Sequence, residues 1–384
     1  MFDVRAYSWK WILIGVMAAA PVGAEVIFEE DFDDQPDWHS GLMENSTGAG
    51  PEALPDRTQF SNKHRIPDGW YAVRQDPTWA PSVGHPDRHE AIEILESNAD
   101  KARSGKMSFV SWRDSFNPGW NRWNSESILM KFFPEGYDQI YVSFYIKFSP
   151  EWTPDGASKI FRVYSWSGES NPFQFFGDGE GGPLFDWKYS YTDYGVRNAL
   201  TFRGGPHGEN YSFSSSDIEG APRSLSGAGD LNLNYTGDTA GMALDGGYPK
   251  IRDLVNGGYI SDNLGQTVEH EQVFGDGSAW TKMAFFVKMN SAVGVADGEV
   301  KQWINDELVF RNDRVRWVSD NSDNKMVKWN AVAIGGNDFF RSYPNSARHE
   351  EWYAIDDIVI ATEIPQGLMT GFPAPNPPTE IRVD

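Results

Sequence analysis

The sequence predicts an all-β protein, a two-sheet antiparallel β-sandwich of the jelly-roll kind, and three observations predict it. Several segments alternate apolar and polar residues with a period of two, as half-buried strands do. The 384 residues include 38 glycines and 23 prolines, enough for many turns. After residue 24 no segment keeps a helical period over three turns. Many strands with long connections and little helix favour two packed sheets.

The first 24 residues have the pattern of a secretory signal peptide. Two basic residues precede an apolar run from Trp11 to Ala20, and Val22 and Ala24 provide the small-residue cleavage pattern. The apolar run is too short to span a bilayer. We therefore expect a protein that is secreted or periplasmic after the leader is removed.

The predicted strands then follow in order along the chain. A strand opens the mature protein in EVIFEEDFDD, and residues 35–90 and 214–265 have the composition of loops. In IYVSFYIKF, Val142 to Phe148 alternate core and polar-aromatic positions. Residues 280–310 indicate a pair of strands around a Gly-Asp turn. The remaining predicted strands are HEAIEILES, GKMSFVSWRD, RWNSESILMKFF, SKIFRVYSW, WNAVAIGGND and EWYAIDDIVIATEI.

The chain divides into three parts on this interpretation. Residues 1–24 form the signal peptide, residues 25–364 form one β-jelly-roll domain, and residues 365–384 form a Pro-rich tail that resembles a linker. The chain has no cysteine, so a core of this size is expected to fold without disulfides.

The charge restricts the partners. A formal net charge of −22 argues against nucleic acid and anionic membranes. A polyanionic ligand would need a local cationic cleft that overcomes this field, and salt would screen the long-range repulsion. We expect a monomer that requires no cofactor. Structural calcium is an alternative at Asp31, Asp33, Asp34 and Asp356-Asp357, although turn capping fits these acidic residues better.

A cationic strand is the main candidate for a binding face. In residues 197–203, Arg197, Thr201 and Arg203 share one face, while Leu200 and Phe202 share the other and can reach the core. Both arginines are therefore expected to point away from the core. In SKIFRVYSW, Arg162 and Tyr164 have the opposite parity from Lys159, so without a bulge the three cannot face one cleft.

The segments FEEDFDD, IYVSFYIKFSPEW, the 280–310 pair and WYAIDDIVIATEI together resemble the concanavalin-A-like jelly rolls of secreted polysaccharide lyases that act on alginate and glucuronan. The resemblance covers roughly Val26 to Ile364. It implies a lyase that cleaves a uronic-acid polysaccharide by β-elimination. Lectins and glucanases share the architecture, so it is more specific for the fold than for the chemistry.

The motifs of these lyases match in part. Lys159 resembles the family's cleft lysine, but Phe161-Arg162 replaces the Pro-Gly that follows it there. Gly195-Val196-Arg197 stands in place of Ser-x-Arg, and Tyr211-Ser212-Phe213 in place of Tyr-x-Tyr. The arginine and the first tyrosine match, whereas the serine and the second tyrosine do not.

The chemistry of β-elimination gives these residues roles. The proton beside a uronate carboxylate becomes acidic enough to remove only when that carboxylate is neutralised, which a guanidinium can do with two hydrogen bonds. We assign Arg197 as the neutraliser and Tyr211 as the base, with the acid that protonates the leaving oxygen as a second candidate role for Tyr211. Lys159 is assigned either to orient the carboxylate or to stabilise charge. The expected substrate-binding residues are Arg203, Thr201, His207, Arg122, Asn124, Glu126, Arg162 and Tyr164. No metal site is expected at HPDRH (85–89), where a proline interrupts the pair of histidines.

Each candidate also has a structural interpretation, and two other function classes stay open. Arg197 and Arg203 would equally suit a solvated strand face, Tyr211 an ordinary strand position, Lys159 a strand edge and His207 a turn. A non-catalytic lectin-like module would need only aromatic platforms. A glycoside hydrolase would need paired carboxylates on one face, but the spacing of Glu90 and Glu93 puts them on opposite strand faces.

Overall fold

In the structure, a computed structural model, most of the regular elements of the described residues are β-strands. It describes residues 24–40, 52–54, 66–75, 89–114, 123–154, 156–168, 172–173, 181–192, 195–203, 231–234, 269–318, 325–339 and 349–369. The strands in chain order are β1 (Val26–Glu30), β2 (Trp38–His39), β3 (Glu52–Leu54), β4 (Ala72–Gln75), β5 (Ile92–Ile94), β6 (Phe109–Asp114), β7 (Trp123–Tyr137), β8 (Gln139–Phe148), β9 (Ala157–Trp166), β10 (Gly181–Thr192), β11 (Gly195–Arg203), β12 (Leu231–Asn234), β13 (Thr281–Lys288), β14 (Gly298–Ile304), β15 (Glu307–Val315), β16 (Trp329–Phe339) and β17 (Glu350–Ala361). The helical elements among the described residues are a 3-10 helix (Glu96–Lys101) and two short helices, α1 (His270–Phe274) and α2 (Gln366–Met369).

The strands form two antiparallel sheets, which confirms the predicted fold class. Within the described ranges, sheet A has nine strands: eight lie in the order β15-β14-β13-β8-β17-β6-β5-β2, and β1 pairs with β17. Sheet B, counted over the same ranges, has eight strands in the order β12-β11-β10-β9-β16-β7-β4-β3. Strands distant in sequence are neighbours at the centre of both sheets, as in β9-β16-β7. Most of the central pairings therefore depend on crossover connections between the sheets.

The main core lies between the sheets and follows the predicted alternation. In β8, Val142, Phe144, Ile146 and Phe148 all belong to this core, while Tyr141 packs in a separate cluster on the outer face of sheet A. Strand β11 contributes Leu200 to the same core. The period-two pattern thus assigned both faces of these strands correctly.

Three details differ from the sequence interpretation. The segment 280–310 contains β13, β14 and the start of β15, because a turn at Asn305-Asp306 adds β15 to the expected pair. The predicted loop 214–265 includes the short strand β12. The predicted tail begins with α2, whose Leu368 packs against the outer cluster of sheet A. Among the described residues, no helix is long and apolar enough to cross a membrane.

Candidate functional site

A β-bulge in β9 brings three of the predicted site residues to one face of sheet B. Phe161 pairs with Trp187 of β10, but the next pair joins Lys159 to Lys188, so β9 has one extra residue at Ile160. Ile160 and Phe161 are consecutive and both lie in the main core. The parity argument separated Lys159 from Arg162 and Tyr164 only in the absence of a bulge, and the bulge at Ile160 places all three on one face.

Strand β10 identifies this face as the outer one. Phe185, Trp187 and Tyr189 point into the main core, so Asp186 and Lys188 point away from it. Arg162 pairs with Asp186, and Lys159 pairs with Lys188. Residues directly opposite each other on neighbouring strands share a face. The outer face of sheet B thus combines the side chains of Lys159, Arg162, Asp186 and Lys188, which we call the charged cluster.

Two glycines of β16 make room for the bulge. Gly335 has φ +76°, a left-handed conformation that disfavours other residues. A Cβ atom on Gly336 would stand 1.7 Å from the carbonyl oxygen of Lys159. The register between β16 and β9 also shifts between Ile334 and Asp338. The glycine pair therefore permits the close approach of the two strands where the charged cluster lies.

The charged cluster is buried and held by ion pairs. Lys159, Arg162, Asp186 and Lys188 are all less than a tenth exposed. The distance from Arg162 Nε to Asp186 Oδ1 is 3.3 Å, and from Lys188 Nζ to Asp186 Oδ2 it is 3.9 Å. Arg162 Nη1 also donates to the carbonyl oxygen of Gly335 at 3.2 Å. Three cationic side chains and one carboxylate among the described residues therefore meet on this face.

Tyr164 closes one end of this face by packing. It belongs to an apolar cluster on the outer face of sheet B with Trp166, Phe173 and Leu184. Its hydroxyl donates to the carbonyl oxygen of Pro172 at 2.9 Å. Burial raises the pKa of Tyr164 above its ordinary value, although the nearby Arg162 partly opposes this. Tyr164 is thus suited to shape the face and poorly suited to act as a base.

On the opposite side of β9, a buried ionic network joins the two sheets. The Arg113 guanidinium donates to Glu351 Oε1 at 2.7 Å, to Asp338 Oδ1 at 2.7 Å and to Ser158 Oγ at 2.9 Å. It also lies 3.5 Å from the ring centroid of Trp152. Ser158 directly precedes Lys159, so the network fixes the strand next to the charged cluster.

The network keeps its central ion pair charged. Burial opposes the charge of Arg113, but Glu351 and Asp338 outweigh it and raise the pKa of the guanidinium. Burial also raises the pKa of Glu351, and Arg113 more than offsets this, so that pKa is lowered. The pKa of Asp338 remains raised because burial prevails there over Arg113 and Ser158.

The other predicted site residues are placed only by their backbone or lie outside the described residues. The β10–β11 register sets Arg197 opposite Ser190, Thr201 opposite Asp186 and Arg203 opposite Leu184. Asn124 and Glu126 lie in the backbone of β7. The side chains of these five are not described. Arg122, His207 and Tyr211 lie outside the described residues.

Sequence reasoning missed Asp186 and Lys188, although a signal was present. In LFDWKYS, Phe185, Trp187 and Tyr189 alternate with Asp186 and Lys188, which is the pattern of a strand with one core face and one charged face. The adjacent apolar residues Ile160 and Phe161 likewise interrupt the alternation of β9 and mark the bulge.

Two of the aspartates considered as calcium ligands, Asp33 and Asp356, accept hydrogen bonds from backbone amides in the structure. Asp33 Oδ1 accepts from the backbone amides of Lys106 and Met107 at 2.7 and 3.0 Å. Asp356 Oδ2 accepts from the amides of Arg103 and Ser104 at 2.7 and 3.3 Å. Within the described ranges, no group of three or more His, Cys, Asp or Glu residues could hold a metal ion.

Glu93, one of the carboxylates weighed for a hydrolase, is also engaged within the fold. Its Oε2 atom lies 2.8 Å from both Asn98 Nδ2 and His89 Nδ1. Burial raises its pKa, but the hydrogen bonds from His89 and Asn98 outweigh this and lower it. The carboxylate therefore acts as an acceptor that ties the 3-10 helix to β5.

Comparisons with known proteins give a likeness to solved structures alone. No family model and no curated protein matches the sequence. The endo-β-1,4-glucuronan lyase of the fungus Trichoderma reesei has a TM-score of 0.43 and 12% identity, over 77% of this chain and 92% of that one. The alginate lyase Aly36B, in complex with an alginate tetrasaccharide, has a TM-score of 0.42 and 10% identity, over 88% and 96%. The PL-14 alginate lyase of Aplysia kurodai has a TM-score of 0.38 and 12% identity, over 70% and 86%. At these values the likeness carries no argument about chemistry.

Proposed function

We propose that this protein is a polysaccharide lyase that cleaves a uronic-acid-containing polysaccharide by β-elimination on the outer face of sheet B. The observation that carries the proposal is the charged cluster. Lys159, Arg162 and Lys188 lie together on one sheet face of a protein whose net charge is −22. Burying several cations close together costs free energy through desolvation and mutual repulsion. Such a cluster is useful where an anionic ligand has to be bound against the field of a negatively charged protein.

The cluster suits the demands of the elimination. Removal of the proton beside the uronate carboxylate requires that the negative charge of this carboxylate be neutralised. Lysine and arginine side chains can do this by binding it. We assign Arg197 to neutralise the carboxylate and Lys159 to orient it. The backbone of Arg197 lies two strands from Lys159, with β10 between them. Tyr211 is the proposed base that removes the proton beside this carboxylate. The electron pair of the broken C–H bond forms the new double bond as the glycosidic C–O bond on the neighbouring carbon breaks, and Tyr211 as acid returns the proton to the leaving oxygen. The proposed reaction uses no cofactor.

The substrate and location follow from the same assignment. The partner is an anionic polysaccharide, and neither nucleic acid nor membrane is expected as a ligand. Such polymers lie outside the cell, which agrees with the signal-peptide pattern of residues 1–24. The proposed mature protein is secreted or periplasmic and monomeric.

The proposal is tested by incubating the purified protein with alginate, glucuronan and other uronic-acid polymers. β-Elimination leaves a double bond beside the carboxylate, so absorbance in the ultraviolet should rise with time. Release of reducing ends without this absorbance would indicate a hydrolase. Binding without either product would indicate a lectin-like module.

Variants then test the assigned residues. We expect Lys159→Ala, Arg197→Ala and Tyr211→Phe each to reduce kcat by about 100-fold or more, because each removes a group that acts in the transition state. Lys282→Ala on sheet A, where Lys282 pairs with Asp306, is the matched control and should retain full activity. Wild-type rates in Lys159→Ala, Arg197→Ala and Tyr211→Phe would show that the reaction occurs on another face.

A further inference from the structure

Asp186 is the described carboxylate of the charged cluster, and it is fully buried. Its Oδ1 atom faces Arg162 of β9 and its Oδ2 atom faces Lys188 of its own strand, at 3.3 and 3.9 Å. The residue is 0% exposed. Neither oxygen has a hydrogen-bond partner within the described part of the chain. The carboxylate thus lies between two cations of neighbouring strands and contacts both through charge.

Burying a charged side chain at this position costs free energy, which is unexpected if the only role of the residue is packing. A buried carboxylate without hydrogen bonds is strongly disfavoured unless neighbouring charges stabilise it. Two residues earlier, Leu184 occupies the same face and packs in the apolar cluster. An apolar side chain is therefore compatible with this strand face, and the charge of Asp186 calls for another explanation.

We propose that Asp186 is a positioning residue that fixes Arg162 and Lys188 for binding the carboxylate of a uronate. It acts through these two cations and does not touch the substrate. The inference rests on the proposed function and adds to it a residue and its role. The carboxylate holds one cation at each oxygen, and both cations stay on the face that receives the anionic ligand.

The role predicts opposite effects on binding and turnover. Asp186→Asn removes one negative charge from the cleft, so a polyanion should bind about two- to tenfold more tightly. The same change removes the ion pairs that hold Arg162 Nε and Lys188 Nζ at their present positions, so both side chains should shift. A displacement of about 1 Å in such groups can cost about 100-fold in rate. We therefore expect kcat to fall by about 10- to 100-fold while KM also falls.

Three variants separate charge from geometry. Asp186→Glu keeps the charge but moves the carboxylate by one methylene, so kcat should fall while the affinity stays within about twofold. Asp306→Asn makes the same charge change at an exposed carboxylate that pairs with Lys282, and should leave kcat and KM unchanged. If Asp186→Asn fails to fold, the kcat of Asp186→Glu decides the matter, and a wild-type value overturns the inference.

The measurements are kcat and KM on the cleaved polymer, Kd for trimers of mannuronate, guluronate and glucuronate by calorimetry, and the melting temperature. Asp186→Asn with a wild-type kcat overturns the inference. A parallel loss of kcat, affinity and melting temperature also overturns it, because a merely structural residue would behave in that way.

The two proposals fail in different ways. A wild-type protein that cleaves polymer, together with an unaltered Asp186→Asn variant, overturns the positioning role alone. If the wild type binds a trimer but cleaves no polymer, the lyase proposal fails. The Kd then decides the positioning role, since tighter binding by Asp186→Asn supports it and equal or weaker binding overturns it. A wild type that neither binds nor cleaves uronates overturns both.

Discussion

At the scale of single residues, the structure shows how burial changes the chemistry of side chains outside the charged cluster. His270 of α1 lies among the rings of Phe148, Phe274 and Tyr189, with centroid distances of 5.0, 5.3 and 5.8 Å. Burial lowers the pKa of His270 to about 4, despite the opposing charges of Glu271 and Glu351. The imidazole is therefore neutral in the folded protein at pH values where an unfolded histidine is already charged.

This difference predicts a loss of stability in acid. Below pH 6.5 the unfolded chain binds a proton at His270 that the folded protein does not bind until about pH 4. The free energy of unfolding should therefore fall as the pH decreases across this window, by up to about 3 kcal/mol. Urea denaturation at several pH values should show that His270→Phe is less sensitive to acid than wild type. The same pH dependence in both proteins would contradict the assignment.

At the scale of elements, the bulge in β9 and the glycines in β16 act as one unit. The extra residue at Ile160 turns Lys159 to the outer face, and Gly336 leaves the space that the carbonyl group of Lys159 occupies. A regular pairing would have sent either Lys159 or Arg162 into the core. The cluster therefore depends on the local geometry of two strands as well as on its charged residues.

Gly336→Ala tests this unit. The added Cβ would stand 1.7 Å from the carbonyl oxygen of Lys159, so the strands have to separate. We expect a destabilisation of about 3 kcal/mol, with a loss of activity of about tenfold or more in the folded fraction. Gly367→Ala in α2 is the control, because nothing lies within 4 Å of its Cβ position. Equal melting temperatures and activities for the two variants would refute the prediction.

The Arg113 network is the second element-level feature, because it joins β6 and β17 of sheet A to β9 and β16 of sheet B. Arg113→Met removes the guanidinium that pairs with the buried Glu351 and Asp338, which should cost about 3–5 kcal/mol. Lys282→Met removes a cation from a more exposed pair with Asp306 and should cost at most about 1 kcal/mol. Chemical denaturation compares the two variants. Similar small losses would mean that the network contributes little to the packing of the sheets.

At the scale of the whole molecule, the global charge opposes the local charge of the cluster. A net charge of −22 repels a polyanion at long range, whereas on the proposed function Lys159, Arg162 and Lys188 attract it at short range. Screening lengths fall from about 30 Å at 0.01 M salt to about 10 Å at 0.1 M. Moderate salt therefore weakens the repulsion before it weakens contacts inside a buried cluster.

The salt dependence of KM tests this balance. We expect KM for the polymer to fall by about two- to tenfold between 0.01 and 0.15 M NaCl, with little change in kcat. Initial rates over a series of polymer concentrations measure both constants. A KM that rises steadily with salt would show that the local attraction dominates at all distances.

Much of the architecture was predictable because its cause is local. Alternation in IYVSFYIKF identified the core side of β8, and Leu200 marked the core side of β11. The missed pattern in LFDWKYS carried the same kind of signal for Asp186 and Lys188. Alternation fails where the pairing is irregular, as at Ile160, because a bulge is defined by what the neighbouring strands do.

The sequence by itself determined the all-β class, the faces of the regular strands, the acidic field and the presence of candidate cations, because each depends on residue type and period alone. Only the tertiary structure decided that Lys159 and Arg162 share a face and that Asp186 lies between Arg162 and Lys188. It also decided that Arg113 bonds Glu351, 238 residues further along the chain. The physical reason is that register, bulges and buried ion pairs arise from contacts between distant segments, whose geometry is set only when the sheets pack.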